Sequence, residues 1–226
     1  MWFELDWVKV LAAKNKELTK QGRPLLSRYH AADCSSRVNE FAGWTTPEQI
    51  DFTKSLIGVF RKHQINTVAY SLNLRELGQE IPESADDPKK YAYKLLLRFL
   101  MLEIGENQLK PIKNSLVGII HDRCAYDGAL LETFNLALVD PTFEYSTRFT
   151  TIASMAWQDC VPLQPADLVA YENFKEAERH ILSRDRRKSL SSILDLDSFG
   201  GRARCFRREG IREVKAIIET AAPQVV

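Results

Sequence analysis

The residues best suited to chemistry in this chain are carboxylates placed where apolar segments end. Asp122 follows the run Leu116-Val117-Gly118-Ile119-Ile120 and stands between His121 and Arg123. Asp167 lies in Leu163-Gln164-Pro165-Ala166-Asp167-Leu168-Val169-Ala170-Tyr171, after a second strand-like run that ends at Trp157. Asp33 follows Tyr29-His30-Ala31-Ala32, and Asp159 precedes the second motif. Oxygen donors of this kind suit hard divalent cations. Magnesium is commonly held by one or two carboxylates, with waters and substrate phosphates completing the shell. Two metals about 3.5–4 Å apart can activate a water and stabilise the leaving oxygen in phosphodiester hydrolysis. That mechanism asks for three or four convergent acids, and spacing alone does not bring these four together.

Each acid also has a plainer reading. With Pro165 as the first helical residue, Asp167 is the third, where the helix dipole favours an acid by roughly 0.3–1 kcal/mol. Asp122 sits at the carboxyl end of a strand, where open α/β sheets bind ligands, yet pairing with Arg123 or capping the next turn would also account for it. Asp33 and Asp159 read equally well as loop acids. His30 and His121 flank candidate acids and suit either an outer position around a metal, as does Gln164, or an acid/base role. The four cysteines, Cys34, Cys124, Cys160 and Cys205, form no C-x-x-C pair, which argues against a structural zinc site and a disulfide framework. There is no Gly-rich phosphate loop, no G-x-S-x-G elbow and no H-E-x-x-H helix.

The elements that must position these residues follow from periodicity. The opening segment through Leu11 is an amphipathic helix with Phe3, Trp7, Val10 and Leu11 at helical spacing. Residues 25–31 form a short strand candidate. Thr46-Pro47-Glu48 starts a helix with a hydroxyl cap, proline in the first turn and an acid near the dipole, running to about His63 with Ile50, Ile57 and Phe60 inward. Residues 66–72 alternate as a strand. Asp86-Asp87-Pro88 opens a helix through Leu102 that is apolar around much of its circumference, and 106–115 form a loop. Leu116 to Ile120 is a continuous apolar run, as expected of an interior strand. Residues 128–138 are helical, 143–157 strand-like, and 165–183 a long helix whose apolar face is Ala166, Ala170, Phe174, Ala177 and Ile181. The alternation predicts an α/β fold with a mixed sheet.

The 226 residues suit one large domain with an appendage. Hydrophobic residues make up 45% and charged residues 27%, so a core needs no covalent staple. No run is long enough to span a bilayer, and no signal peptide opens the chain. A cytoplasmic protein without a membrane partner is expected. The net charge of +1 hides a basic tail. Arg184, Arg186, Arg187 and Lys188 form one cluster; Arg202, Arg204, Arg207 and Arg208 form another. Arg186, Arg187, Lys188 and Arg204, with Phe199 and Phe206, would suit nucleic acid by tracking its phosphates; a solvated charged face is the plain alternative. A final helix spans about 211–221. The expected division is therefore a domain over 1–183 and a basic helical extension over 184–226.

Three stretches together resemble domain-of-unknown-function family 3800: Tyr29-His30-Ala31-Ala32-Asp33 with Phe41-Ala42-Gly43-Trp44, then Ile119-Ile120-His121-Asp122-Arg123, then Leu163 to Tyr171. The resemblance covers roughly residues 1–180, in order. It implies a ribonuclease H-like mixed sheet flanked by helices. It further implies acids at the sheet edge that bind Mg²⁺ or Mn²⁺, with Asp122 and Asp167 matching family acids and Asp33 matching more loosely. A divalent-metal-dependent phosphodiesterase acting on nucleic acid is the expected activity. A catalytically inactive nucleic-acid- or protein-binding module of the same fold is the alternative. Family members begin with a strand carrying Asp-Glu-Ser, which this sequence lacks. Either an upstream segment precedes Met1 or a central strand has been lost. In the second case the uncovered sheet would recruit another chain, and a homodimer is one expected assembly.

Overall fold

The computed structural model describes residues 2–63, 65–110, 112, 114–181 and 202–213. The first basic cluster, with Arg186, Arg187 and Lys188, lies outside the described residues, as do Phe199 and most of the expected final helix. The elements run α1 (Trp2–Lys20), α2 (Ala31–Ser36), α3 (Thr46–His63), β1 (Val68–Leu72), α4 (Leu74–Glu80), α5 (Pro88–Ile104), β2 (Val117–Asp122), α6 (Asp127–Val139), β3 (Phe149–Met155), α7 (Leu163–Ile181) and β4 (Arg202–Phe206). The architecture is mixed α/β. Among the described residues its strands form two two-stranded sheets, β1 with β4 and β2 with β3. The chain divides into two compact units, Met1–Ala69 with Trp157–Ala203, and Tyr70–Ala156 with Arg204–Val226.

The first unit is helical around an aromatic core. Trp7 of α1 is fully buried, edge-on to Phe60 of α3 at 6.0 Å and to Tyr29 at 6.2 Å. Edge-to-face pairs at such distances add to the burial of the rings. Trp7 thus finds its packing surface in elements that follow it, while Trp2 is exposed. Helix α3 begins where its sequence says it should. The Thr45 N–H and hydroxyl both donate to Glu48 (2.7 and 2.9 Å), a capping box one residue ahead of the expected cap. Its buried face is Phe52, Leu56, Ile57, Val59 and Phe60, while Ile50, expected inside, is 46% exposed.

Two expectations in this unit fail. Residues 25–30 are not a strand. Their backbone is held by side chains instead: the Leu26 N–H donates to Asn15 Oδ1 at 2.7 Å, and Asn15 Nδ2 donates to the Leu26 carbonyl at 2.8 Å. Once those groups are paired, no ladder is needed. Helix α7 also turns a different face inward. Gln164, Pro165, Leu168, Val169, Glu172 and Asn173 are buried, whereas Ala166 and Ala170 are exposed and Phe174 is half exposed. Hydrophobicity alone misplaced this helix because half of its buried face is polar.

The second unit contains a strand–helix–strand unit, β2–α6–β3, whose strands pair in parallel with His121 opposite Ser154 and Asp122 opposite Met155. Ile119 belongs to one buried cluster with Leu130 and Phe134 of α6, Met101 and Leu97 of α5, and Phe149. The opposite face stays open: Gly118, Ile120 and Asp122 are exposed, with Ile120 at 49%. The run 116–120 is therefore interior on one face only. A one-turn π-helical segment, Gly105–Leu109, extends α5 into the expected loop, and the buried positions of α5 are Ala92, Leu95, Leu97 and Met101, with Leu102 more exposed than predicted. Helix α4, unforeseen in the sequence, is capped by Asn73, whose Oδ1 accepts the Arg75 and Glu76 N–H groups. In the described part of the basic tail, 208–213 are helical, where the expected final helix begins, and 202–206 form a strand. Its Phe206 is buried, stacked on Phe99 at 4.6 Å.

Candidate functional site

The motifs around Asp33 and Asp167 meet at the start of α2. Gln164 Oε1 accepts two buried N–H groups, the Trp7 indole at 3.1 Å and the Tyr29 backbone at 2.9 Å. One helical turn further along α7, Asp167 Oδ2 accepts the Ala31 N–H at 2.8 Å. Residues three apart on a helix share a face, so α7 holds alternate N–H groups of the 29–31 segment. Helix α7 starts at Leu163, two residues earlier than expected, which leaves no acid in its first turn. Asp167 instead serves the N-terminus of a different helix, α2. Asp33 is the third residue of α2, not the end of a strand. Its Oδ2 accepts from Asn39 Nδ2 at 3.0 Å, and its Oδ1 faces His30 Nδ1 at 3.1 Å. Partial burial works to raise its pKa, but these bonds with Asn39 and His30 prevail and hold it below the ordinary carboxylate value. Asp159 is exposed in the turn before α7. Nearby, burial pushes the Cys34 thiol up to about 12, so Cys34 is an inert core residue rather than a nucleophile.

Asp122 belongs to the second unit. It is the last residue of β2, on the open face, and its carboxylate makes no hydrogen bond or ion pair among the described residues. An exposed, unpaired carboxylate fits a hard cation that keeps most of its waters. Asp167, with one oxygen given to Ala31, keeps the other for a ligand. Asp33, with both oxygens engaged, fits a cation less well.

His121 points to the other face of β2, because neighbouring strand residues alternate. It meets Cys124 and Asp127 there. The nitrogen, sulfur and oxygen atoms that these three offer all lie within 4.8 Å of one another. The turn from β2 into α6 creates this meeting. The Cys124 N–H donates to Asp127 Oδ1 at 2.9 Å, and the Asp127 N–H points back to the Cys124 carbonyl at 3.4 Å. The Ser154 hydroxyl, from the strand position opposite His121, donates to Asp127 Oδ2 at 2.6 Å. These bonds from Ser154 and Cys124 hold the Asp127 pKa below its ordinary value, against slight burial. His121 Nδ1 lies 3.0 Å from the Asp122 carbonyl oxygen and 3.7 Å from Asp127 Oδ1. Among the described residues this is the one group of three or more His, Cys, Asp or Glu side chains close enough to share an ion. Sequence reasoning weighed His121 but passed over Cys124 and Asp127, because it sought paired cysteines. The available signal was the spacing His-x-x-Cys-x-x-Asp across a strand end, a short turn and a helix start.

The described cations of the tail are partly committed. Arg208 and Arg212 both pair with Glu80 of α4, at 3.0 and 2.7 Å. The Arg208 N–H also donates to Glu76 at 2.7 Å. Arg204 is exposed, its guanidinium 5.6 Å from the Phe206 ring centroid. Phe206 itself is buried and presents no face for stacking on a base. No helix among the described residues is long and apolar enough to cross a membrane. Comparison with protein-family models, curated proteins and solved structures finds no match for this chain.

Proposed function

We propose that this chain is a ribonuclease H-like, divalent-metal-dependent phosphodiesterase acting on nucleic acid. The observation that carries the reading is Asp122: an exposed carboxylate, unpaired among the described residues, at the carboxyl end of a parallel strand in a β–α–β unit, the position where α/β folds present ligand-binding groups. The ordered resemblance of the three motifs to family 3800 supports it. Asp122 binds Mg²⁺ or Mn²⁺ with waters and substrate phosphates in the remaining positions. The resemblance to family 3800 alone adds Asp167 as a second acid and Asp33 as an assisting one; both belong to the first unit. When bound, such a metal lowers the charge on the scissile phosphate and activates a water. Arg204, with Arg186, Arg187 and Lys188, contributes positive charge toward the phosphate backbone.

The test is calorimetric titration of the full chain with Mn²⁺, comparing wild type with Asp122→Asn and Asp167→Asn. Asparagine retains an oxygen that can accept the Ala31 N–H, so the second variant keeps the α2 anchor. Each substitution should weaken Mn²⁺ binding about tenfold or more, as expected for loss of one charged ligand from a site with few protein ligands. Binding indifferent to both substitutions would overturn the site. Oligonucleotide binding that weakens with salt, without cleavage when Mn²⁺ is bound, would replace the enzyme with a binding module.

A further inference from the structure

We infer that His121, Cys124 and Asp127 form a second metal site, selective for a borderline ion of the zinc class. It lies on the face of β2 opposite Asp122 and does not depend on the function proposed above. The ligand chemistry decides the metal. Magnesium demands near-octahedral oxygen coordination, which an imidazole and a thiol do not supply. Nitrogen, sulfur and a carboxylate oxygen together are the donors that zinc takes in four-coordinate sites, at about 2.0–2.3 Å. Tetrahedral bonds of that length set ligand atoms about 3.3–3.8 Å apart. The His121 Nδ1 to Asp127 Oδ1 distance is 3.7 Å; ligation through Nδ1 takes the tautomer with its proton on Nε2 and gives up the contact of Nδ1 with the Asp122 carbonyl at 3.0 Å. All three donors lie within 4.8 Å of one another, so side-chain rotation of about 1 Å closes the set.

The surroundings are those of a supported site. Asp127 is fixed by the Ser154 hydroxyl through one oxygen and by the Cys124 N–H through the other. A ligating carboxylate held this way keeps its orientation, and loss of such a supporting bond typically costs 10–100-fold in affinity. His121 is the last inward residue of a strand, and Cys124 is clamped by the tight 124–127 turn. Backbone geometry thus sets all three positions before any metal arrives. The site is half-buried, with side-chain exposures of 18% for His121 and 34% for Asp127. An ion can enter, and three protein ligands leave one coordination position to solvent, as in catalytic rather than structural zinc sites. Binding displaces the thiol proton: Cys124–SH gives up H⁺ to solvent as the sulfur–metal bond forms, and no electron changes hands.

The experiment uses the full chain, stripped by chelator and titrated with Co²⁺ while its absorption is recorded. Wild type should bind one Co²⁺ at this site with a thiolate-to-metal charge-transfer band and the intense visible bands of four-coordinate cobalt; Zn²⁺ should bleach both, and Mg²⁺ should not. Cys124→Ala should abolish the charge-transfer band, and His121→Ala should weaken binding at least about tenfold. Substituting Asp127 would also remove the turn's own hydrogen bond. Ser154→Ala is therefore the probe of the carboxylate, expected to weaken Co²⁺ binding about tenfold with the far-UV spectrum unchanged. Asp122→Asn should leave the cobalt spectrum intact, so failure of this site and failure of the proposed phosphodiesterase centre are read separately. A wild-type protein without a thiolate band, or a band that persists in Cys124→Ala, would overturn the inference.

Discussion

Replacing Gln164 with leucine tests whether the Leu163–Tyr171 motif is the clamp that the structure makes of it. Gln164 is buried, and its Oε1 accepts both the Trp7 indole N–H and the Tyr29 backbone N–H. Leucine occupies nearly the same volume but offers no acceptor. Two buried donors are then stranded, each costing about 1–3 kcal/mol, while the added apolar burial returns about 1 kcal/mol. The net expectation is a loss of about 1–5 kcal/mol from the first unit. The four tryptophans, Trp2, Trp7, Trp44 and Trp157, all lie in that unit, so tryptophan emission during urea unfolding reports on it selectively. With a urea slope of about 2 kcal/mol per molar, the midpoint should fall by about 0.5–2.5 M. Trp7→Phe removes one of the two donors in advance. In that background the cost of Gln164→Leu should shrink by about 1–2 kcal/mol, a coupling that a double-mutant cycle isolates. A midpoint shift below about 0.5 M, or a cycle without coupling, would refute the view that Gln164 ties α1, the 29–31 segment and α7 together.

Two further predictions concern the frame around the sites. The Thr45 N–H and hydroxyl, with Arg23, hold Glu48 down at about 2 against an ordinary value of 4.5. A carboxylate with a depressed folded-state pKa stabilises in full above its unfolded value, and that stabilisation is lost as pH falls from 4.5 through about 2. Glu48→Gln should therefore flatten the acid limb of the tryptophan-detected stability profile across that window, and an unchanged limb would show that the capping box does not operate. In the second unit, a methyl group added at Gly105 would overlap the ring of the buried Tyr145. Gly105→Ala should cost about 1–3 kcal/mol, read from the tyrosine near-ultraviolet circular dichroism during thermal unfolding, and a variant as stable as wild type would mean the ring has room to move aside.

What could be read from sequence followed from how locally each element is determined. Helix α3 carries its own start signal, and β2–α6–β3 declares itself through an apolar run, a helical period and a second strand; α3, β2 and α6 were placed to within two residues, whereas β3 begins at Phe149, six residues later than expected. The segment 25–30 was misread because its extended backbone is satisfied by Asn15 and Gln164, side chains 11 and 135 residues away in the chain. Extended conformation without a partner strand leaves no trace in a local pattern. Helix α7 was rotated for the related reason that a polar residue counts as outward until its partner is known. Gln164 is affordable inside only because Trp7 and Tyr29 both donate to it.

The carboxylates expose the same limit at the level of chemistry. Asp122, Asp167 and Asp33 looked alike as acids next to apolar segments, yet their surroundings separate them. Asp122 is exposed and unpaired among the described residues, Asp167 gives one oxygen to the N-terminus of α2, and Asp33 spends both on Asn39 and His30. A free carboxylate can take a cation without losing anything; an engaged one must first give up a hydrogen bond worth about 1.5–3 kcal/mol when one partner is charged. That difference ranks Asp122 ahead of the other two as a ligand. The same accounting favours His121, Cys124 and Asp127 for a different ion. The bonds that hold Asp127 come from Ser154 and the Cys124 N–H and occupy one lone pair on each oxygen, and a carboxylate oxygen has a second with which to bind metal. Two faces of one strand thus present two kinds of donor: oxygen alone at Asp122 on the outward face, and on the inward face the His121 nitrogen, with the Cys124 sulfur and an Asp127 oxygen beside it.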